Sequence, residues 1–272
     1  MEESSQHPIG VFDSGVGGLT VLKALRQLLP ARNFLYVGDT ARVPYGRKPR
    51  AMVEQFAWEI TCFLMEKGAQ AVVIACNTAS AASLPRLAGQ MPIPIWGVVE
   101  PGVNAACRLT RSGHVGVIGT CGTIASGAYQ ERLRALGLKV WAQACPLFVH
   151  LVEEGLADSE EAELLAHHYL DARPEIDTLI LGCTHYPLLE SVIRRVVGPD
   201  TAIVSSAEAL AAMVSQTLGP APVAPGHSAG TVTHYVTGDA ASYRHTAERI
   251  GGVEGEIIKV DTLAAAPAQL AV

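Results

Sequence analysis

The chain lacks most features that would tie it to a membrane, a metal or a polyanion. No uninterrupted apolar run among its 272 residues approaches the ~20 needed for a bilayer span. The N-terminus, Met1 to Pro8, is polar and acidic and has neither the basic nor the apolar region of a signal peptide. A cytoplasmic location is therefore expected. The six cysteines (Cys62, Cys76, Cys107, Cys121, Cys145 and Cys183) are then expected to be reduced. None forms a C-x-x-C pair, zinc-site spacing is absent, and no metal is expected. A net charge of −6 with no dense Lys/Arg cluster gives no general attraction to nucleic acid or anionic membrane. Asp13-Ser14-Gly15-Val16-Gly17-Gly18 matches neither the dinucleotide fingerprint nor the phosphate loop with its lysine. Charged residues make up 17% of the chain against 49% apolar, a balance that indicates a compact globule and excludes disorder.

What the chain does have is alternation. Strand-like apolar runs fall at Ile9–Phe12, Phe34–Val37, Ala71–Ala75, Ile95–Val99, Val115–Ile118, Lys139–Ala142, Leu179–Leu181 and Ile203–Ser205. Helical spacing fits Leu19–Leu29, Ala51–Glu66, Ile124–Leu136 and Leu188–Val197. Strands alternating with helices predict βαβ units and parallel sheets. There is also a repeat. Ile9-Gly10-Val11-Phe12-Asp13-Ser14-Gly15 resembles Val115-Gly116-Val117-Ile118-Gly119-Thr120-Cys121 at an offset of 106. Two apolar strands each end in a cysteine, Ala75-Cys76-Asn77-Thr78 and Gly182-Cys183-Thr184-His185, 107 positions apart. The fold class expected is α/β, with two pseudo-symmetric, doubly wound domains, mainly parallel sheets and a site in the cleft between them. The seam falls near Val98–Gly102. The C-terminal stretch, with a helix over Ala207–Leu218, a strand over Thr231–Val236 and a helix over Ala241–Ile250, is too short for a third domain. Residues 1–98 plus 207–272 are then the first domain and 99–206 the second. Leu218–Gly230 reads as an exposed loop and Ala264–Val272 as a frayed end.

Ligands of open α/β sheets sit at the carboxyl ends of the strands. Five polar clusters fall there: Asp13-Ser14-Gly15, Pro44-Tyr45-Gly46, Cys76-Asn77-Thr78, Thr120 to Thr123 and Cys183-Thr184-His185. Helices follow Ser14, Thr78 and Thr120, and helix N-termini favour anions. The implied ligand is small and anionic, with the charge of a dicarboxylate. A thiol beside a helix N-terminus has its pKa lowered and serves as base or nucleophile. A lone buried cysteine is more commonly inert. The shared context of Cys76 and Cys183 lifts both above that reading, whereas Cys62, Cys107, Cys121 and Cys145 are assigned to structure. Asp13 is either a helix cap or an acceptor for a thiol proton. His185, two residues past Cys183, is a candidate acid or base. Glu153 and Glu154, taken alone, read as a solvated acidic pair.

These segments resemble the glutamate racemases of the cofactor-independent aspartate/glutamate racemase superfamily. The resemblance is carried by IGVFDSGVGG (9–18), YVGDTARVPYG (36–46), VIACNTAS (73–80), GVIGTCGTIASGAY (116–129), ACPLFVHLVEEG (144–155) and LGCTHYPL (181–188). It implies that Cys76 and Cys183 are the two catalytic thiols on opposite faces of the substrate α-carbon. Asp13 would assist Cys76. His185 and one of Glu153 and Glu154, with Glu153 favoured, would assist Cys183. Ser14, Pro44, Tyr45, Gly46, Asn77, Thr78, Thr120, Thr123 and Thr184 would hold glutamate. No cofactor is implied. A homodimer is. Some members are also reported to bind DNA gyrase, and nothing in this sequence bears on that partner. Two departures stand out, Cys121 between Gly119-Thr120 and Gly122-Thr123, and His150 where a proline is usual. Neither removes a catalytic group.

Inverting an α-carbon requires one group to remove the proton from one face and another to deliver a proton to the opposite face. The activity implied is interconversion of L- and D-glutamate, supplying D-glutamate for peptidoglycan. Rival readings are a racemase of aspartate or a related amino acid, a Cys-His hydrolase built on Cys183 and His185, and a bilobed binding protein.

Overall fold

A computed structural model describes residues 7–219, 229–261 and 263. The expected loop over 218–230 falls mostly outside the described residues, as do the Ala-rich residues from 264 onward.

In chain order the elements are β1 (Ile9–Asp13), α1 (Leu19–Leu28), β2 (Phe34–Gly38), α2 (Arg50–Glu66), β3 (Ala71–Ile74), α3 (Asn77–Gln90), β4 (Ile95–Gly97) and α4 (Val99–Leu109). Then come β5 (His114–Gly119), α5 (Cys121–Ala125), α6 (Ala128–Ala135), β6 (Lys139–Ala144), α7 (Leu147–Glu153), α8 (Glu160–Leu170), β7 (Thr178–Gly182), α9 (Glu190–Val197) and β8 (Ala202–Ser205). The chain closes with α10 (Ser206–Leu218), β9 (Val232–Val236), α11 (Ala240–Arg249) and β10 (Glu256–Lys259). Short 3-10 turns occupy Thr40–Arg42, Tyr45–Arg47 and Tyr186–Leu189.

Two sheets result, both parallel throughout. One runs β10-β9-β2-β1-β3-β4 and the other β6-β5-β7-β8. The run β2-β1-β3-β4 has the same order as β6-β5-β7-β8 once each strand is replaced by its counterpart four strands later. The repeat in sequence is thus a repeat in topology. Central strands β1, β3 and β7 are buried along their whole length, as parallel strands covered on both faces must be. The strand order reverses between β1 and β3, and again between β5 and β7. In doubly wound sheets the crevice opens at such reversals.

Helix α10 packs against both α1 and α4 and links the two sheet systems. Its first residue holds the second sheet directly, because the Ser206 hydroxyl donates to Leu181 O at 3.0 Å. Differences from the periodicity-based elements are local. The helix expected over Ile124–Leu136 is two helices, because Gly127 takes a left-handed φ of 69° and starts α6 afresh. Leu188–Val197 starts as the 3-10 turn Tyr186–Leu189, with Pro187 in its first turn. Strand β10 was not foreseen. Its half-exposed residues form the edge of the sheet beside β9 and lack a continuous apolar signal.

Candidate active site

The site residues named from sequence lie at the carboxyl ends of strands or in the segments that follow them, save Glu153, which ends α7. Asp13 ends β1, and the 3-10 turn with Tyr45 and Gly46 follows β2. Cys76 follows β3 and caps α3, accepting the Ala79 N–H at 3.5 Å. Thr120 follows β5 and caps α5, its hydroxyl accepting the Thr123 N–H at 3.2 Å. Cys183, Thr184 and His185 follow β7. Both candidate thiols, together with Asp13, Asn77, Thr123, Thr184 and His185, are buried.

The surroundings of Cys76 are hydroxyl, amide and carboxylate. Its thiol donates to Ser14 Oγ at 3.8 Å. A helix start alone would lower a thiol pKa, but here burial and the Asp13 carboxylate prevail and push Cys76 up to about 12, against the pull of the Ala79 N–H and Ser14. Cys76 is therefore a thiol at neutral pH, contrary to the lowered value expected from its place at a helix N-terminus. Asp13 makes no hydrogen bond to Cys76. Its Oδ2 accepts the Gly15 N–H at 2.9 Å, and its Oδ1 accepts from Thr184 Oγ1 at 3.4 Å. Burial raises the Asp13 pKa, while the charge of His185 and the Gly15 N–H oppose that rise. Asp13 thus lies in the field of both thiol systems.

Cys183 stands beside a charge relay. Its Sγ lies 3.8 Å from His185 Nδ1. His185 Nε2 lies 2.9 Å from Glu153 Oε1. Burial would lower the imidazole, but the Cys183 sulfur on one nitrogen and the Glu153 carboxylate on the other push it up to about 10. An imidazolium is the form this setting favours. Of the two glutamates, Glu153 is the one within hydrogen-bond distance of His185. Glu154 is exposed and turns away to Arg249 Nη1 at 3.4 Å.

Three threonines meet where the two sheet systems face each other. Thr78 Oγ1 lies 2.9 Å from Thr120 Oγ1 and 3.1 Å from Thr123 Oγ1, and Thr120 Oγ1 lies 3.1 Å from Thr123 Oγ1. A Cβ on Gly46 would come within 2.9 Å of Thr120 Cβ, and one on Gly122 within 3.0 Å of Gly46 O. Backbone meets backbone there. Tyr45 is buried, but its hydroxyl bonds Asp39, so only its backbone remains for a ligand. Pro44, after a cis peptide bond, is exposed.

Several residues were missed. The Tyr36 hydroxyl donates to Gly15 O at 2.8 Å and steadies the loop that bears Asp13 and Ser14. Gly17 permits the Cys183 loop to approach, because a Cβ there would lie 2.4 Å from Thr184 Oγ1 and 2.5 Å from His185 Cε1. Tyr129 reaches Asn77 from the other sheet system. Its place in the GAY segment was a signal left unused. Among the described residues no group of three or more His, Cys, Asp and Glu side chains is arranged to hold a metal ion.

The model of the Asp/Glu/hydantoin racemase family matches residues 9–214. The chain belongs to this family. It is similar to a glutamate racemase of Thermus thermophilus, 55% identical over 245 residues that span 90% of this chain and 92% of the relative. The glutamate racemase of Geobacter metallireducens is 45% identical over 258 residues, or 93% of this chain and 96% of the relative. The crystal structure of the Thermus thermophilus enzyme with β-chloro-D-alanine superposes with a TM-score of 0.87 at 52% identity, covering 95% of this chain and 98% of that one. The fold class expected from sequence agrees with these structures. The protein is an amino-acid racemase of the pyridoxal-phosphate-independent kind.

Proposed function

We propose that the protein interconverts L- and D-glutamate by proton transfer between two thiols and the substrate α-carbon, supplying D-glutamate for peptidoglycan. The observation that carries the reading is a pair of buried cysteines, Cys76 and Cys183, just past the equivalent strands β3 and β7 of the four-strand order that the two sheets share. The names of relatives at 55% and 45% identity support glutamate over aspartate as substrate.

In one direction a Cys183 thiolate takes the α-proton, forming S–H and leaving the electron pair on carbon. The Cys76 thiol then gives its proton to the opposite face and is left as thiolate. The reverse direction exchanges the roles. Cys76, held as a thiol by burial and Asp13, is the acid of the resting protein. The His185 imidazolium, with Glu153 behind it, compensates charge on Cys183. Asp13 receives the Cys76 proton when that sulfur must act as base. Ser14, Asn77, Thr78, Thr120, Thr123 and Thr184, with backbone groups of Pro44, Tyr45 and Gly46, hold the substrate. The carbanion is unstable, so positioning and fixed donors must supply much of the rate.

The reading takes residues 1–98 with 207–272 as the half bearing Cys76, and 99–206 as the half bearing Cys183. The matching strand orders support this division. It also takes the protein to be a cytoplasmic homodimer, and among the described residues no helix is long and apolar enough to cross a membrane. A hydrolase built on Cys183, His185 and Glu153 would leave Cys76 without work. The test is incubation of each glutamate enantiomer in deuterated water. Proton NMR is expected to show loss of the α-proton signal, and polarimetry inversion. Release of an amine or acid without α-exchange would overturn the reading.

A further inference from the structure

Asp39 is a wholly buried carboxylate that no step of the proton transfer uses. It stands between the end of β2 and the 3-10 turn Thr40–Arg42. A carboxylate in such a place costs free energy unless donors surround it, and three do. Its Oδ1 accepts from Thr237 Oγ1 at 2.8 Å. Its Oδ2 accepts from Arg42 Nε at 2.7 Å and from the Tyr45 hydroxyl. The direction of these bonds is fixed, because a carboxylate only accepts. Burial and the Asp39 charge push the Tyr45 phenol well above its ordinary pKa, which keeps its proton in place to donate.

The donors come from parts of the chain with different duties. Tyr45 belongs to the segment whose backbone meets Thr120 and Gly122 of the other sheet system. Between β2 and α2 that segment has only two 3-10 turns, and such short pieces have poor hydrogen-bond geometry. Its side chains supply the missing hold. The Tyr45 ring lies 5.5 Å from that of Phe56, and the Arg42 guanidinium lies 4.0 Å over the same Phe56 ring. Thr237 follows β9, in the C-terminal stretch that returns to the first sheet. Its Oγ1 also accepts the Ala41 N–H at 3.0 Å, and the Gly238 N–H donates to Thr40 Oγ1 at 3.0 Å. A Cβ on Gly238 would stand 2.5 Å from Thr40 Oγ1, so the two loops touch. The Asp39 N–H in turn donates to Asp13 O at 3.1 Å. One residue thus joins the loop after β2, the loop after β9 and the end of β1.

We infer that Asp39 is a positioning residue: through the Tyr45 hydroxyl it fixes the backbone of Tyr45 and Gly46 where that backbone meets the substrate, and through Thr237 it ties the same backbone to the returning C-terminal stretch. The inference rests on the racemase reading above and deepens it. The loop after β9 then acts on glutamate binding without touching glutamate.

The test pairs steady-state kinetics, in both directions, with hydrogen exchange of the backbone amides, on full-length Asp39→Asn, Tyr45→Phe, Thr237→Val and Thr237→Ser. Asp39→Asn replaces one acceptor oxygen by a donor and is expected to raise KM about tenfold, with kcat little changed, as loss of uniform binding requires. Tyr45→Phe and Thr237→Val each delete one hydroxyl and keep the shape, so they read the link even where Asp39→Asn does not fold. Each should raise KM about threefold or more and speed exchange over residues 40–48, while β1 and β3 exchange as in the parent. Thr237→Ser keeps the hydroxyl and should return KM to within about twofold of the parent. Faster exchange or a lower urea midpoint with KM unchanged would make the network structural only and overturn the inference. So would a Thr237→Ser KM as high as that of Thr237→Val. Parent-like exchange over residues 40–48 in the variants would sink the anchor itself, whereas absence of glutamate racemisation by the parent would sink the reading of the activity.

Discussion

Cys76 and Cys183 end equivalent strands, yet the groups around them differ in kind. Cys76 caps a long helix and is set among a serine hydroxyl, a backbone N–H and the field of a buried carboxylate. Cys183 leads into a 3-10 turn and borders an imidazole backed by a glutamate. One sulfur is held neutral by desolvation, and the other has a charged neighbour. The duplicated frame supplies the symmetry that inversion of a carbon requires. The side chains after each strand then tune each thiol separately. Asp13 complicates a clean partition, because it bonds Thr184 and senses His185 while facing Cys76 electrostatically.

The comparison breaks most directly at the sulfurs. Cys76→Ser and Cys183→Ser are each expected to lower racemisation by about 10³-fold or more, measured as the initial rate of change of optical rotation from either enantiomer. Near-full turnover by one of them would reduce the pair to a single working thiol. Next in size is Gly17→Ala. The new Cβ would collide with Thr184 and His185, displacing the Cys183 side while sparing Cys76. A loss of about 10²-fold in kcat is expected from misplaced reacting groups.

Glu153→Gln sharpens the charged side. A tenfold loss of kcat, roughly, is expected from a weakened positioning carboxylate, while Glu154→Gln, which breaks only an exposed pair with Arg249, should stay within about twofold. The pH signature is more telling. His185 has its folded pKa raised from 6.5 to about 10. Its stabilising contribution is then complete below about 6.5 and lost as pH rises through about 10. Urea midpoints of the parent should fall across that window, and those of His185→Asn should fall less. Glu153→Gln should move the fall to lower pH.

The smallest effect concerns stability. Asp13 has its folded pKa raised by burial from 3.8. Its ionised form therefore opposes folding, a cost present above the unfolded value and relieved as pH falls toward it. Asp13→Asn should unfold at a higher urea concentration than the parent at pH 7, lose that advantage near pH 4, and turn over more slowly. A lower midpoint at pH 7 would show that the hydrogen bonds of the carboxylate outweigh its desolvation.

Much of this was legible in the chain. Parallel strands covered on both faces must be continuously apolar, so β1, β3, β5 and β7 announced themselves. The polar residues just past them had only the crevice to occupy. The ionisation of Cys76 was not legible, because a helix start and a buried carboxylate pull in opposite directions and only the geometry says which prevails. Nor was the pairing of His185 with Glu153 in preference to Glu154, which depends on which side of α7's last turn faces inward. Tyr129 was hidden for another reason: a hydroxyl that serves a neighbour's amide leaves no pattern in its own local sequence. Strand β10 was missed because an edge strand buries too little to impose a pattern.

The order β10-β9-β2-β1-β3-β4 has a consequence for biosynthesis. Strand β2 finds its outer neighbour only when β9 emerges, nearly 200 residues after Gly38. At ribosomal speeds of about 5–20 residues per second, that edge stays unpaired for roughly 10–40 s. Meanwhile the four strands β5 to β8 are complete, and their sheet can close first. The nascent chain thus carries an open parallel edge through most of its synthesis. A folding catalyst or chaperone acting on it would find its target at β2.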